Sequence, residues 1–207
     1  MSGLSPLQKH VLRTLAGLQP RWVLFGGAAL TGFVLHHRST TDLDLCFRDR
    51  RELGEASRAV QERLEAAALR VEVMQTSPSF RRLRVLHGNA SVIVDLVAEP
   101  IEPTEAPREP WPGVFVDTPH ELLVQKLCAL LSRSEVRDLV DVGALLDAGL
   151  DLVRALADAP SKDTGFSPPT LAWVLQSFPL ERATALGFHM GALTATRDRL
   201  VSALLAQ

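Results

Sequence analysis

Three aspartates stand within apolar runs, where a carboxylate is energetically costly. Asp42 and Asp44 alternate with leucines in DLDL, and Asp95 interrupts the run SVIVDLVA. Because successive side chains of a β-strand point to opposite faces, Asp42 and Asp44 are expected on one face, roughly 7 Å apart. Such a pair can hold a hard cation such as Mg2+, whose other ligands are water and phosphate oxygens. The pattern therefore predicts either metal-assisted phosphate chemistry or carboxylates that simply solvate a strand end.

Two glycines that precede this segment indicate a phosphate site. Gly26 and Gly27 follow the apolar run RWVLF and open AALTGFVLHH, which has a helical pattern. A glycine turn between strand and helix exposes backbone N–H groups at the positive end of the helix, with no side chain in the way of a triphosphate. Each signal alone is weak. Together with Asp95 they favour phosphoryl transfer from a nucleotide.

The elements that must position these residues are helices and strands of a mixed sheet. A helix is predicted after Ser5 and Pro6, then the strands RWVLFGG and DLDLCF with a helix between them, then the amphipathic helix RRELGEASRAVQERLEAAA. The strands LRVEVM, FRRLRVLH and SVIVDLVA are separated by turn signals, which predicts an antiparallel meander. The expected fold class is α+β, with an α/β-like N-terminal part. His36 and His37 are expected to end the second helix as structural residues.

A segment rich in proline and glutamate predicts the domain boundary. Residues 99–113, EPIEPTEAPREPWPG, lack periodicity and are typical of an extended linker. Residues 1–98 would then form the catalytic domain, and residues 114–207 a C-terminal helical bundle that completes the nucleotide and acceptor site. Lys126 falls on a leucine stripe of the first helix of this bundle, which should start at Pro119. Its ammonium group is expected either to meet an anionic partner or to extend to water.

Composition limits the class of protein. The chain has 207 residues, 46% of them hydrophobic, which suffices for a buried core. Its net charge is −2, but basic residues exceed acidic ones in the first half, where RRLR at 81–84 is either an RNA-binding patch or ordinary solvated arginines. Its 2 cysteines predict neither a metal site nor a disulfide framework. With no signal peptide and no membrane-length apolar run, a cytoplasmic protein without a membrane partner is expected.

The run GGAALTGFVLHHRSTTDLDL resembles motif one of the nucleotidyltransferase superfamily, and specifically of the AbiEii-type nucleotidyltransferase toxin family. The segment TPHELLVQKLCALLSRSEVRDLVDV is similar to that family's helical block, so that the resemblance spans about residues 22–145. It implies a nucleotidyltransferase fold in which Asp42, Asp44 and Asp95 are catalytic and bind metal. The implied nucleotide-binding residues are Gly26, Gly27, Arg38, Ser39, Thr40, Lys126, Arg137, Asp138 and Asp141. The last three are also expected to crowd one helix face.

The activity implied by the resemblance is transfer of a nucleoside monophosphate from an NTP to an acceptor hydroxyl. The cofactor would be Mg2+ in a two-metal site, with the NTP as substrate. The acceptor would be RNA, in particular tRNA, and the protein would be the toxin of a toxin-antitoxin system with a cognate antitoxin as partner. Two alternatives stay open, namely an adenylyltransferase for a small molecule such as an antibiotic, and a catalytically idle nucleotide-binding module.

Overall fold

A computed structural model describes residues 3–206 of the chain, which divides into two compact units. The first unit comprises Met1–Thr118 and the second Pro119–Gln207. Within the described residues, the first unit contains the whole β-sheet and the second is built from helices. The α+β fold class with a C-terminal helical part is therefore confirmed.

Helices and strands alternate along the first unit before it ends in a run of strands. Helix α1 begins as predicted, since the Ser5 hydroxyl accepts a hydrogen bond from the Gln8 backbone N–H (3.2 Å) and the Gln8 side chain accepts one from Ser5 N–H (2.8 Å). The helices are α1 (Pro6–Leu15), α2 (Gly26–Phe33) and α3 (Gly54–Ala66). The strands are β1 (Val23–Phe25), β2 (Asp42–Phe47), β3 (Arg70–Thr76), β4 (Phe80–His87), β5 (Ala90–Ala98), β6 (Arg108–Trp111) and β7 (Val114–Val116).

The strands of the described residues form one mixed sheet in the order β3-β4-β5-β2-β1-β7-β6. Strand β2 pairs parallel to β5, and β1 pairs parallel to β7, whereas the other neighbours are antiparallel. The meander predicted for β3, β4 and β5 is confirmed. Leu43 and Leu45 of β2 are fully buried beside Val94 and Leu96 of β5. The apolar core thus fixes one face of these central strands and leaves the other face for the aspartates.

The segment predicted as a linker differs in the structure, because it contributes strand β6 to the first unit and leads directly into β7. Strand β7 pairs with β1, and β6 extends that sheet at its edge. Arg48 Nη2 also lies 2.6 Å from the buried carboxylate of Asp117. Pro110 falls within β6, and an edge strand tolerates proline because its outer N–H groups have no partner strand. The unit therefore ends at Thr118 rather than at residue 98.

Helix α2 is shorter than the sequence predicts. It ends at Phe33, since the N–H groups of Val34 and Leu35 both donate to the Leu30 carbonyl oxygen, at 3.2 and 2.9 Å. The next residue, His36, has a φ of 52°, and its Nδ1 lies 2.8 Å from the Thr31 carbonyl oxygen. His36 and His37 consequently lie beyond the helix instead of ending it.

Helices make up the second unit, and the first of them starts at Pro119 as expected. Helices α4 and α5 pack together, and α4 also packs on α6. In the described part of the chain, no helix is both long and apolar enough to cross a membrane. The helices are α4 (Pro119–Arg133), α5 (Val136–Asp147), α6 (Leu152–Lys162), α7 (Pro168–Gln176), α8 (Arg182–Ala185) and α9 (Met190–Leu205).

Candidate active site

The three aspartates singled out in the sequence lie on one face of the sheet. Asp44 of β2 is the register partner of Asp95 of β5, and Asp42 lies two residues before Asp44 on the same strand. Asp42 and Asp44 are half-buried, whereas Asp95 is 7% exposed. The parallel pairing of β2 and β5 therefore brings together carboxylates that are about fifty residues apart in sequence.

Gly26 gives Asp44 the space it occupies. The chain turns from β1 into α2 at Gly26 with a φ of +65°, a conformation that favours glycine. A Cβ atom at this position would overlap Asp44 Oδ2. The N-terminus of α2 thus lies directly against this carboxylate, and both the turn and the contact require glycine.

The second glycine is close to the polar residues of the loop before β2. A Cβ atom at Gly27 would lie 3.0 Å from an Arg38 guanidinium nitrogen and 3.4 Å from the Thr40 hydroxyl. The Thr40 hydroxyl donates a hydrogen bond to Asp42 Oδ1. Gln8 of α1 holds this loop, because its Nε2 donates to the carbonyl oxygens of Thr40 and Asp42, at 3.2 and 3.1 Å. The predicted residues Arg38, Thr40 and Asp42 therefore lie close together near Gly27 in the first turn of α2.

Ser39 is placed differently from its neighbours in the loop. Its side chain is exposed, and its carbonyl oxygen accepts a hydrogen bond of 2.9 Å from Arg38 Nη1. Arg38 and Thr40 are half-buried, and both lie near the first turn of α2. The backbone around Ser39 thus fixes the Arg38 guanidinium group, while the Ser39 hydroxyl group is open to solvent.

Arg82 is a member of this cluster that the sequence did not reveal. It lies opposite Asp95 in the pairing of β4 with β5, and its Nε and Nη2 donate to the two carboxylate oxygens at 2.8 and 2.7 Å. The hydrogen bond to Asp95, with the charges of Asp95, Asp42 and Asp44, raises the pKa of Arg82 above its ordinary value. One guanidinium group thus faces all three carboxylates. The alternation in RRLR could have put Arg82 on this face, but only the strand register pairs it with Asp95.

The donor set suits a hard cation at two of the three positions. Asp42 and Asp44 offer carboxylate oxygens on one face of the sheet, and Asp44 lies against the N-terminus of α2. Both oxygens of Asp95 are bound by Arg82. Among residues 3–206, no group of three or more His, Cys, Asp or Glu side chains is arranged to hold a metal ion. Asp42 and Asp44 are therefore the carboxylates that would hold Mg2+, and Asp95 would join them after Arg82 has moved away.

The predicted residues of the second unit form a buried ionic cluster. Lys126 Nζ of α4 lies 2.7 Å from Asp138 Oδ1 and 2.7 Å from Asp141 Oδ2, both on α5. Arg133 donates to Asp138 from Nε and Nη2, at 2.7 and 2.9 Å. Lys126 is 5% exposed, and the two aspartates are almost fully buried. The Lys126 ammonium group therefore has anionic partners and does not extend to water.

Arg137 stands apart from its two neighbours in sequence. It is exposed on α5, whereas Asp138 and Asp141 are buried against α4. The expectation that the three residues crowd one helix face is therefore wrong for Arg137.

The ionic cluster also sets the pKa of Asp138. Burial alone would raise the pKa of Asp138, but hydrogen bonds from Arg133 and the charge of Lys126 outweigh it, so that the pKa lies below its ordinary value.

Comparison with known proteins agrees with this architecture. The family model "Nucleotidyl transferase AbiEii toxin, Type IV TA system" matches residues 10–183. A candidate nucleotidyltransferase from H. pylori is similar in structure, with 20% identity, 98% of each chain covered and a TM-score of 0.60. JHP933 from Helicobacter pylori is 18% identical over 96% of this chain and 88% of its own, with a TM-score of 0.55. At these identities the two structures show a shared fold. No curated protein sequence gives a significant match.

Proposed function

Because the chain belongs to the AbiEii nucleotidyltransferase toxin family, we propose that it is a magnesium-dependent enzyme that transfers a nucleoside monophosphate from an NTP to RNA. The observation that carries this proposal is the face shared by Asp42, Asp44 and Asp95 beside the glycine start of α2. Carboxylates for a cation thereby lie next to backbone amides for phosphate. This is the combination that phosphoryl transfer from a nucleotide requires.

The carboxylates of the cluster divide the chemistry between them. Asp42 and Asp44 would hold Mg2+, which supplies neutralisation of the charge that develops on the phosphate oxygens. Asp95 is the candidate base that accepts the proton of the acceptor hydroxyl. The hydroxyl oxygen forms a bond to the α-phosphorus, and the bond from that phosphorus to the pyrophosphate oxygen breaks. Pyrophosphate then leaves with the bonding electron pair.

Binding of the triphosphate is assigned to the residues around the first turn of α2. The backbone N–H groups at Gly26 and Gly27 offer donors at the positive end of the helix. The Arg38 guanidinium group lies close to Gly27, so that it adds a cationic donor on that side. The Thr40 hydroxyl is within reach of the same turn, and the exposed Ser39 hydroxyl is available to an incoming ligand.

For the ionic cluster of the second unit, a role in binding phosphate is proposed on the strength of family membership alone. Lys126 would bind a phosphate, and Asp138 and Asp141 would orient its ammonium group through the two ion pairs of 2.7 Å. A lysine has three donors, so that a third partner can be added to two carboxylates. Arg137 is exposed and would contact the nucleotide only at the surface of α5.

RNA is the acceptor that the charge distribution favours. Arg84 lies two residues after Arg82 on β4 and is therefore on the same face of the sheet as the carboxylates. Both arginine side chains are close to half-exposed, which leaves them accessible to the phosphates of a polynucleotide. Within the RNA class we propose tRNA, with a cognate antitoxin as the partner that restrains the enzyme, on the strength of family membership.

The test is incubation of the pure protein with each labelled NTP, Mg2+ and total RNA, followed by separation of the labelled products. The proposal predicts label on a discrete RNA band of tRNA size, with release of pyrophosphate and loss of both signals in EDTA. Label that goes only to an added small-molecule acceptor would instead identify an antibiotic-type adenylyltransferase. Tight NTP binding without any transfer would identify an idle nucleotide-binding module.

A further inference from the structure

We propose that Arg82 competes with the divalent cation for Asp95, so that it holds this carboxylate in the metal-free enzyme and releases it when metal binds. The inference rests on the proposed function, because it presupposes a cation site at Asp42 and Asp44. It assigns to Arg82 a positioning role that neither its sequence context nor the family match provides.

The pair with Arg82 engages both carboxylate oxygens of Asp95. The guanidinium group donates to both oxygens at 2.8 and 2.7 Å, in the two-pronged arrangement that is strongest between arginine and a carboxylate. The Asp95 side chain is only 10% exposed, so that little water can take over from Arg82. Each oxygen keeps a second lone pair, so a cation at Asp95 must either share the carboxylate with the positive charge of Arg82 or displace Arg82.

The charges explain why a cationic side chain is needed there when metal is absent. Asp42, Asp44 and Asp95 lie on the same face of the sheet, and all three raise the pKa of Arg82. Three carboxylates at short range repel one another unless a positive charge lies among them. Arg82 supplies that charge, and a bound cation would supply it in turn.

The Arg82 guanidinium group can also move away from Asp95. Its side chain is 43% exposed, and its guanidinium carbon lies 5.6 Å from the centre of the Phe80 ring at the same edge of the site. Moving the guanidinium group outward therefore returns it to water and does not bury a charge. A fully buried arginine could not be displaced in this way.

Arg84 provides a matched control on the same strand. It lies on the same face as Arg82 and is 45% exposed, but its partner is Glu72 of β3, with 3.5 Å between Nη1 and Oε2. Loss of Arg84 thus removes an equal charge of equal exposure from the same surface. It leaves the Arg82 pair with Asp95 in place.

The experiment is a titration with Mn2+ alone, in which the electron paramagnetic resonance signal of the free ion measures how much metal is bound. It compares four proteins, namely the wild type, Arg82→Ala, Arg82→Gln and Arg84→Ala. Mn2+ prefers the same oxygen ligands as Mg2+. We expect Arg82→Ala to bind Mn2+ about tenfold more tightly, since it removes a charged hydrogen-bonded competitor and one repulsive charge. Arg82→Gln, which keeps a shorter polar side chain without the charge, should change in the same direction. Arg84→Ala should bind like the wild type.

Equal Mn2+ affinity in the wild type and in a folded Arg82 variant, with measurable binding in both, would overturn the inference and leave the proposed function standing. Weaker binding in the Arg82 variants would also overturn it. Absence of Mn2+ binding in all four proteins is a different result, because it would remove the cation site of the proposed function itself. The glutamine variant keeps the test decisive if the alanine variant does not fold.

Discussion

At the scale of single residues, the site depends on a close fit between Gly26 and Asp44. The backbone of Gly26 has a φ of +65°, and the space that a side chain would need is filled by Asp44 Oδ2. The turn into α2 and the position of the carboxylate are therefore one structural feature. Any side chain at residue 26 must either push Asp44 away or distort the helix start.

Gly26→Ala is accordingly expected to lower both stability and transfer activity. The positive φ alone costs about 1–2 kcal/mol for an alanine, and the collision with Asp44 adds to it. Urea unfolding and the labelled-NTP assay measure the two effects. Gly88→Ala is the control, since Gly88 has a φ of +57° with nothing near its would-be Cβ. An equal loss of stability in the two variants, with full activity in Gly26→Ala, would show that the contact with Asp44 is unimportant.

The residue types and their alternation predicted much of this site, but not its register. Asp42 and Asp44 were expected on one face because Leu43 and Leu45 need the other, and the structure agrees. The pairing of Arg82 with Asp95 depends on how β4 slides against β5. A shift by one residue would put Arg82 on the opposite face, and the sequence of an isolated strand does not determine that shift.

At the scale of elements, the junction of α4 with α5 is an ionic core. Lys126 meets two buried carboxylates, and Arg133 covers Asp138 from the surface. Sequence spacing placed Lys126 on the leucine stripe but did not identify its partners, because the packing of two helices decides which residues meet. Strand β6 was missed for another reason, since the prolines around it are typical of a linker and only its edge position permits Pro110 within it.

Lys126→Met should destabilise the protein. The change removes the buried ion pairs of Lys126 with Asp138 and Asp141, although Asp138 keeps Arg133, and loss of one partner of a buried pair costs about 3–5 kcal/mol. Denaturant unfolding followed by circular dichroism measures the change, and the exposed Lys9→Met on α1 is the control that should behave like the wild type. Unchanged stability in Lys126→Met would mean that the ion pairs with α5 contribute nothing to the fold.

Acid should remove the contribution of Asp138 to stability. Its pKa in the folded protein lies below the ordinary value of 3.8, so that the unfolded chain takes up the proton first as the pH falls. The stabilisation by this carboxylate is therefore complete well above pH 3.8 and declines below it, toward the lower pKa of the folded state. The difference in unfolding free energy between the wild type and Asp138→Asn should be constant from neutral pH down to about the ordinary pKa of 3.8, and it should become smaller at lower pH. A difference that grows on acidification would contradict this assignment.

At the scale of the whole molecule, the first unit includes everything up to Thr118. Strand β7 covers β1 on one side, and its Val114 and Val116 are buried. A fragment 1–118 should therefore unfold cooperatively and stay soluble. A fragment 1–98 should be less stable or aggregate, because it exposes the edge of β1. Size-exclusion chromatography measures the aggregation of each fragment, and thermal unfolding measures its stability. Equal aggregation and equal stability in the two fragments would support the interpretation of residues 99–113 as a linker.

The central claim is that Asp42, Asp44 and Asp95 form the catalytic centre for nucleotidyl transfer, and the rate of NTP-dependent RNA labelling by Asp44→Asn tests it most directly. Asp49→Asn is the control, since Asp49 is an exposed aspartate just beyond β2. Asp44→Asn should keep the fold and its metal-free stability, because it relieves repulsion among carboxylates. Its rate should fall by about a thousandfold or more, as expected when several kcal/mol of transition-state stabilisation by a metal is lost. Wild-type rates in both variants would contradict the account.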